Sequence, residues 1–255
     1  LSLIGGILSR YEDIQRLSGS SSSLAQTVHV ISSPTINCAL AVPLSRRFLE
    51  SGANGNLVFH EITGSQVGNC LIQNESNIGL TYFMPSIRAE YAASAAKYQI
   101  EVKPLFHDHL YLVAAAGHPL AAHESLSLEE LKGVDLALLS HFLNDETSIV
   151  FSRTFQSNNR CTTFSSIPQV KKAIVELNML GILTGYAIHY DQSVDPSRLK
   201  AIRLVATRGQ NDIDLCLIHH DNWQLHYMER VVIKCIESYF SQLSPPPFSP
   251  EAAEP

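Results

Sequence analysis

An α/β fold built on mostly parallel strands is predicted by three features of this 255-residue chain. Strand-like runs alternate with helical stripes from residue 27 to residue 242, as they do when each strand is followed by a covering helix. Two of the runs, HLYLVAAA (109–116) and VDLALLS (134–140), are apolar almost throughout, as strands covered on both faces are. Hydrophobic residues make up 45% and charged residues 16%, enough for a sizeable core and too few charges for a disordered chain.

The elements follow in order. LSLIGGILSRYEDIQRL sets Ile4, Ile7, Tyr11, Ile14 and Leu17 at steps of three and four, one stripe of a helix. Gly5 and Gly6 each weaken that helix by about 1 kcal/mol against Ala. SGSSSS then reads as a flexible linker, so residues 1–23 are a helix and linker ahead of the alternating region. TVHVIS (27–32) is the first strand, and SSPT opens a helix carrying Leu40, Pro43, Leu44 and Phe48. NLVFHEI (56–62) is the second, followed by TGSQ and a helix with Val67 and Leu71. NIGLTY (77–82) is the third. Ser127 and Glu130 have the S-x-x-E spacing of a capping box. Ser166 and Gln169 repeat the device ahead of Val170, Ala173, Ile174 and Leu177. IDLCLIH (213–219) is the last strand, and a terminal helix carries Leu225, Met228, Val232, Ile236 and Tyr239. The segment SPPPFSPEAAEP (244–255) cannot continue that helix and is predicted to be a disordered tail.

Charge and composition narrow the function. Lys plus Arg total 18 against 24 Asp plus Glu, a net charge of −6. Phosphate binding depends on clustered cations, so this chain is not expected to hold nucleic acid by itself. No run approaches the ~20 apolar residues of a bilayer-spanning helix. Leu1 to Leu8 lacks the basic flank and small-residue cleavage site of a signal peptide. Cys38, Cys70, Cys161, Cys216 and Cys235 show no CxxC pairing and read as packing thiols in a reducing cytoplasm. Opening on Leu1 rather than Met, the chain reads as part of something longer.

The alternation also points to a site. Each strand-to-helix junction ends in small hydroxyl residues: Ser32, Ser33, Pro34 and Thr35; Thr63, Gly64, Ser65 and Gln66; Ser140; and Ser165 with Ser166. In a parallel α/β sheet the carboxyl ends of strands face the ligand crevice, and helix N-termini there present free N–H groups. Hydroxyls at those positions suit a small polar or anionic ligand, although Ser and Thr are also ordinary N-caps. Eleven histidines raise the question of metal binding, but His107 and His109 on one strand face have no local third ligand. No G-x-S-x-G, H-E-x-x-H or P-loop pattern occurs, so neither an enzyme, a cofactor nor a metal site is expected.

One segment is more specific than periodicity. LFHDHLYLVAAAGHPLAAHESLSLEELKGVDLALLS resembles the middle of the effector-binding domain of LysR-type transcriptional regulators. The resemblance is carried by the strand Leu110–Val113, His118-Pro119-Leu120-Ala121, the helix Ser127–Leu131 and the buried strand Val134–Leu139. NIGLTY and AIVELNMLGILTGYAI are similar to two further motifs of that family, with Asn77, Met179 and Gly185 departing from its pattern. The resemblance spans residues 24 to 243 and implies two Rossmann-like subdomains joined by two crossover strands, like a periplasmic binding protein. Subdomain I is then 24–105 with 218–243, and subdomain II is 106–217. The stripe at 1–17 falls where the family carries a linker helix, and the winged helix-turn-helix ahead of it is not in this chain. By position, the resemblance places effector contacts at Ser32, Ser33, Thr35, Thr63 to Gln66, Ser140 and Ser166. It further implies a cytoplasmic homodimer, or a tetramer at full length, that senses a small-molecule effector and reaches DNA through the domain not included here. The competing reading is the solute-binding protein of a transport system, which shares the architecture.

Overall fold

The computed structural model describes residues 26–140, 159–205 and 211–249. The linker helix expected at 1–23 and the last residues of the tail, 250–255, lie outside the described residues.

Ten strands and six α-helices occur among the described residues. The strands are β1 (Gln26–Ser32), β2 (Gly55–Glu61), β3 (Ile78–Phe83), β4 (Ile100–Ala115), β5 (Ser125–Ser127), β6 (Leu136–Leu139), β7 (Cys161–Phe164), β8 (Leu180–Thr184), β9 (Leu199–Val205) and β10 (Asp212–His220). The helices are α1 (Pro34–Glu50), α2 (Gly64–Ile72), α3 (Pro85–Ala95), α4 (Ile167–Glu176), α5 (Gly185–Tyr190) and α6 (Tyr227–Phe240). They form a mixed α/β fold on a single sheet of order β2-β1-β3-β10-β4-β8-β6-β7, with β9 beside β4 and β5 beside β9. The predicted α/β class holds. The sequence reading passed over α3, α5, β5, β7, β8 and β9, which are short or polar on one face.

The sixteen-residue strand β4 organises the sheet. Its first half runs antiparallel to β10, from Ile100 opposite His220 to His109 opposite Asp212. Its second half lies between β8 and β9, with Leu112 opposite both Ile182 and Ile202. The chain passes from one group of strands to the other along β4 and returns between β9 and β10. The sequence reading began this strand at residue 109. The stretch before it, IEVKPLFH, is polar on one side because half of its residues are exposed, and that hid its strand character.

Four apolar clusters fill the faces. The first holds Val28, Val30, Ile36, Leu40, Leu44, Phe48, Leu80, Leu217, Val232 and Ile236, so α1 and α6 cover one face of the β2-β1-β3-β10 group. Arg47 ties these two helices, its guanidinium 5.7 Å from the Tyr239 ring and hydrogen-bonded to Ser238. On the opposite face Ile31, Val67, Leu71, Ala95 and Ile218 form a second cluster under α2 and α3. The other group of strands carries Leu112, Leu136, Leu138, Leu180 and Ile202 on one face. On its other face Val113, Leu139, Ile167, Val170, Ile174 and Met179 pack with α4. The cluster under α1 and α6 is the α6 core, and the cluster under α4 is the α4 core.

The motif departures have local reasons. Asn77 donates from Nδ2 to Glu229 Oε1 at 2.9 Å, while Glu229 Oε2 accepts from the His226 N–H at the start of α6. An aspartate at 77 would set two carboxylates against each other there. Met179 is an apolar member of the α4 core. Gly185 is forced by its neighbours, since a Cβ there would stand 2.5 Å from Asp108 Oδ1 and 3.1 Å from the Tyr111 ring.

Two expectations are corrected. The capping device ahead of α4 is shifted by one residue: Gln169 Oε1 accepts from Ser165 N–H at 3.2 Å and Ser165 Oγ at 2.9 Å, not from Ser166. The device at Ser127 forms, with Glu130 Oε2 accepting from Ser127 N–H at 2.7 Å. The tail does not fray over 244–249. Pro246 and Ser249 are buried, and Phe248 lies edge-on to Tyr111 with centroids 5.0 Å apart. Proline cannot extend a helix, but it arrives with little backbone entropy to lose and packs as an apolar side chain.

Candidate functional site

Strands β1 and β3 run parallel, as do β1 and β2, so their carboxyl ends lie together at one rim of the sheet. At that rim β1 turns into α1 and β2 into α2. Pro34 occupies the first turn of α1, where its missing N–H costs nothing. Ser33 is buried, its N–H donates to Leu80 O at 3.3 Å, and its carbonyl accepts from the Ile36 and Asn37 N–H groups. The backbone thus starts the helix without help from the side chain.

Three of the predicted junction hydroxyls are not used as caps. Ser33, Thr63 and Ser166 stand at the N-cap positions of α1, α2 and α4, and none makes a side-chain cap hydrogen bond. Ser33 Oγ instead lies 3.2 Å from Thr35 Oγ1. Thr184, which the sequence reading did not single out, does cap its helix, accepting from Ala187 N–H at 3.2 Å.

The first two predicted junctions come together. A Cβ on Gly64 would lie 3.9 Å from Ser33 Cβ and 3.0 Å from Thr81 Oγ1, and Thr81 donates to the Gly64 carbonyl. Thr63 and Gly64 are half-buried, while Ser65 and Gln66 are exposed. Asn37, one turn into α1, donates to Glu61 Oε1 at 2.8 Å, which places a carboxylate beside the same rim. Ser32 is fully buried, and its Oγ has no hydrogen-bond partner among the described residues. It shares the strand face of Val28 and Val30, which point into the α6 core. Ser140 is exposed at the end of β6, and Ser166 is half-buried at the start of α4.

The two groups of strands meet along α1, α4 and α5. Cys38 on α1 packs against both the α6 core and the α4 core. Burial, with Asp191 nearby, pushes its thiol well above the usual cysteine range. Burial likewise raises Cys70 to about 11 and Cys216 to about 12, so these thiols stay protonated at neutral pH. Beside Cys38, Lys171 of α4 is 0% exposed, and its Nζ stands 3.1 Å from Asp191 Oδ2 and also bonds the Asp191 carbonyl. Asp191 accepts further bonds from Ser193 N–H and Oγ. A pair this deeply desolvated depends on its mutual contact and on the further hydrogen bonds that Ser193 gives the carboxylate.

A second polar knot sits where β4 passes between the two groups. Asp108 is 2% exposed. Its Oδ1 accepts from His109 N–H at 2.7 Å, and its Oδ2 accepts from Tyr186 N–H at 2.9 Å. Tyr82 of β3 reaches in from the other group, with its hydroxyl 3.2 Å from Thr184 Oγ1 and 3.4 Å from Asp108 Oδ2. Burial raises the Asp108 carboxyl to about 7 against the pull of those N–H donors. The sequence signal for Asp108 was a lone acid between two histidines ahead of an apolar run. Lys171 was masked by the Lys171-Lys172 doublet, which reads as a solvent-facing pair. Among the described residues no group of three or more His, Cys, Asp or Glu side chains is placed to hold a metal ion.

A protein-family model described as the LysR substrate binding domain matches residues 21–240. Among solved structures, the CcmR regulatory domain from Synechocystis PCC6803 in complex with 2-PG is similar with a TM-score of 0.64 at 12% identity, covering 86% of this chain and 99% of that one. The regulatory domain of MetR from N. meningitidis gives 0.64 at 12%, covering 86% and 96%. Full-length OxyR from Pseudomonas aeruginosa gives 0.62 at 16%, covering 92% and 76%. Likenesses at these identities speak for the fold.

Proposed function

This chain belongs to the LysR substrate-binding domain family, the effector-binding regulatory part of LysR-type transcription factors, and on that premise we propose that it senses a small polar or anionic metabolite at the rim formed by Ser33, Thr35, Thr63 and Gly64. The observation that carries this reading is the release of three N-cap hydroxyls, on Ser33, Thr63 and Ser166, from capping. Such hydroxyls, with the free N–H groups of two converging helix starts, offer a small anion charge-assisted hydrogen bonds. Glu61 beside them favours a ligand that also carries an ammonium or hydroxyl group.

In this reading residues 24–105 with 218–243 form one lobe and residues 106–217 the other, and Ser140 and Ser166 approach the ligand from the second lobe. Ser32 supports the rim from beneath, and Pro34, Ser65 and Gln66 complete its edge. The protein performs no chemistry. A ligand that prefers one lobe arrangement shifts the population toward it. The change passes to DNA through partner subunits and a DNA-binding domain beyond this chain, in the cytoplasm.

A thermal-shift screen of small carboxylates, phosphates including 2-PG, and amino acids tests this, because binding to the folded state alone raises its stability. Calorimetric titration of the best hit should then show affinity falling about tenfold in Ser33→Ala and in Ser166→Ala, consistent with the loss of one charge-assisted bond. The ligand-free melting temperatures should barely move, because neither hydroxyl caps its helix. Unchanged affinity in both variants would remove the ligand from this rim.

A further inference from the structure

After α6 closes the α6 core at Phe240, the chain does not stop there but crosses to the other group of strands. The Tyr190 hydroxyl donates to the Ser244 carbonyl, which pins the start of the crossing to the end of α5. Pro246 is buried, with its Cγ 3.4 Å from where a Gly185 Cβ would stand. Phe248 then lies edge-on to Tyr111 of β4 at 5.0 Å and to His189 of α5 at 6.4 Å, and it packs against the α4 core. Ser249 is buried beyond it. One short segment is therefore joined covalently to the helix of the α6 core and packed non-covalently on the α4 core.

We propose that residues 244–249 are an intrachain clasp that holds the two lobes together and sets how far they can part. The clasp rests on the two-lobe reading above and adds a device to it. Prolines at 245, 246 and 247 stiffen the segment, so little chain entropy is lost when it seats. Its hold comes from one aromatic side chain, one buried proline and one hydrogen bond. A contact of this size can open without unfolding either core, as a clasp must.

Hydrogen exchange and small-angle X-ray scattering on the full chain, Phe248→Ala, Phe248→Tyr and a chain ending at Leu243 test it without any ligand. In Phe248→Ala and the shortened chain, amides of α5 should exchange about tenfold faster while those of α6 and β1 keep their protection. The radius of gyration should rise, and Phe248→Tyr, which keeps the ring, should behave as the parent. Unchanged α5 protection would overturn the clasp, as would equal loosening of α5 and α6, which marks ordinary packing. Faster α5 exchange with an unchanged scattering profile would show that the segment only covers α5 and does not set the lobe arrangement. A ligand screen that finds nothing leaves these readouts intact, so the two readings fail separately.

Discussion

Asp108 shows how a single buried carboxyl shapes the response of the protein to pH. Its folded-state value of about 7 follows from burial, while in the unfolded chain an aspartate loses its proton near pH ~4. Between those values the folded state keeps a proton that the unfolded state has released. Stability therefore falls as pH rises through that window and levels off above about 7, the opposite of a salt-bridged aspartate. Chemical denaturation of Asp108→Asn from pH 4 to pH 8 should show most of that slope gone. An unchanged slope would move its origin to another group. Ser32 and Ser33 show how far residues can be read from sequence. Both were legible as junction hydroxyls, but only the packing showed that Ser32, the last residue of β1, looks into the core with Val28 and Val30, while Ser33 stands at the N-cap position of α1.

At the scale of elements, helix α2 reaches β3 because Gly79 leaves room for it. A Cβ at Gly79 would stand 2.6 Å from Val67 Cγ1, 3.0 Å from Leu71 Cδ1 and 3.0 Å from Ile218 Cγ1. Gly79→Ala should cost about 1–3 kcal/mol through overpacking. Val67→Ala should cost less in the Gly79→Ala background than in the parent, because the new methyl then takes up part of the vacated space. Urea denaturation of the two single variants and the double variant measures this coupling, and strictly additive losses would mean that α2 is not limited by this contact. The stripes of α1 and α6 were readable from spacing, and they do face the sheet: Ile36, Leu40, Leu44 and Phe48 on α1, and Met228, Val232 and Ile236 on α6, are all buried. They are therefore sheet-covering core, not the surface that meets a second chain. Strand β4 was half-legible, since periodicity reports which face is buried and, among the described residues, its first half pairs with β10 alone.

For the whole molecule, burial of the α1 and α6 stripes leaves other surfaces to carry assembly. Val42 and Leu49, seven residues apart on α1, are 72% and 75% exposed and present apolar side chains away from the core. A homodimer that uses this face should appear in light scattering at micromolar concentration and shift toward monomer in Val42→Asp with Leu49→Asp, while circular dichroism stays unchanged. A dimer that survives both changes would place its interface elsewhere. The sequence by itself determined the alternation of strands and helices, the buried stripes and the junctions rich in hydroxyls. Each of these is a local pattern, set by side-chain periodicity and backbone preference within a few residues. Only the tertiary structure decided that Thr184 and not Ser33 caps its helix, and that Lys171 and Asp191 are buried against Cys38. It alone brought Asp108, Tyr82 and Gly185 to one point and seated Phe248 on Tyr111. Apart from the Thr184 cap, whose partner lies three residues on, these depend on residues from 20 to more than 130 positions apart, and no local pattern records their meeting.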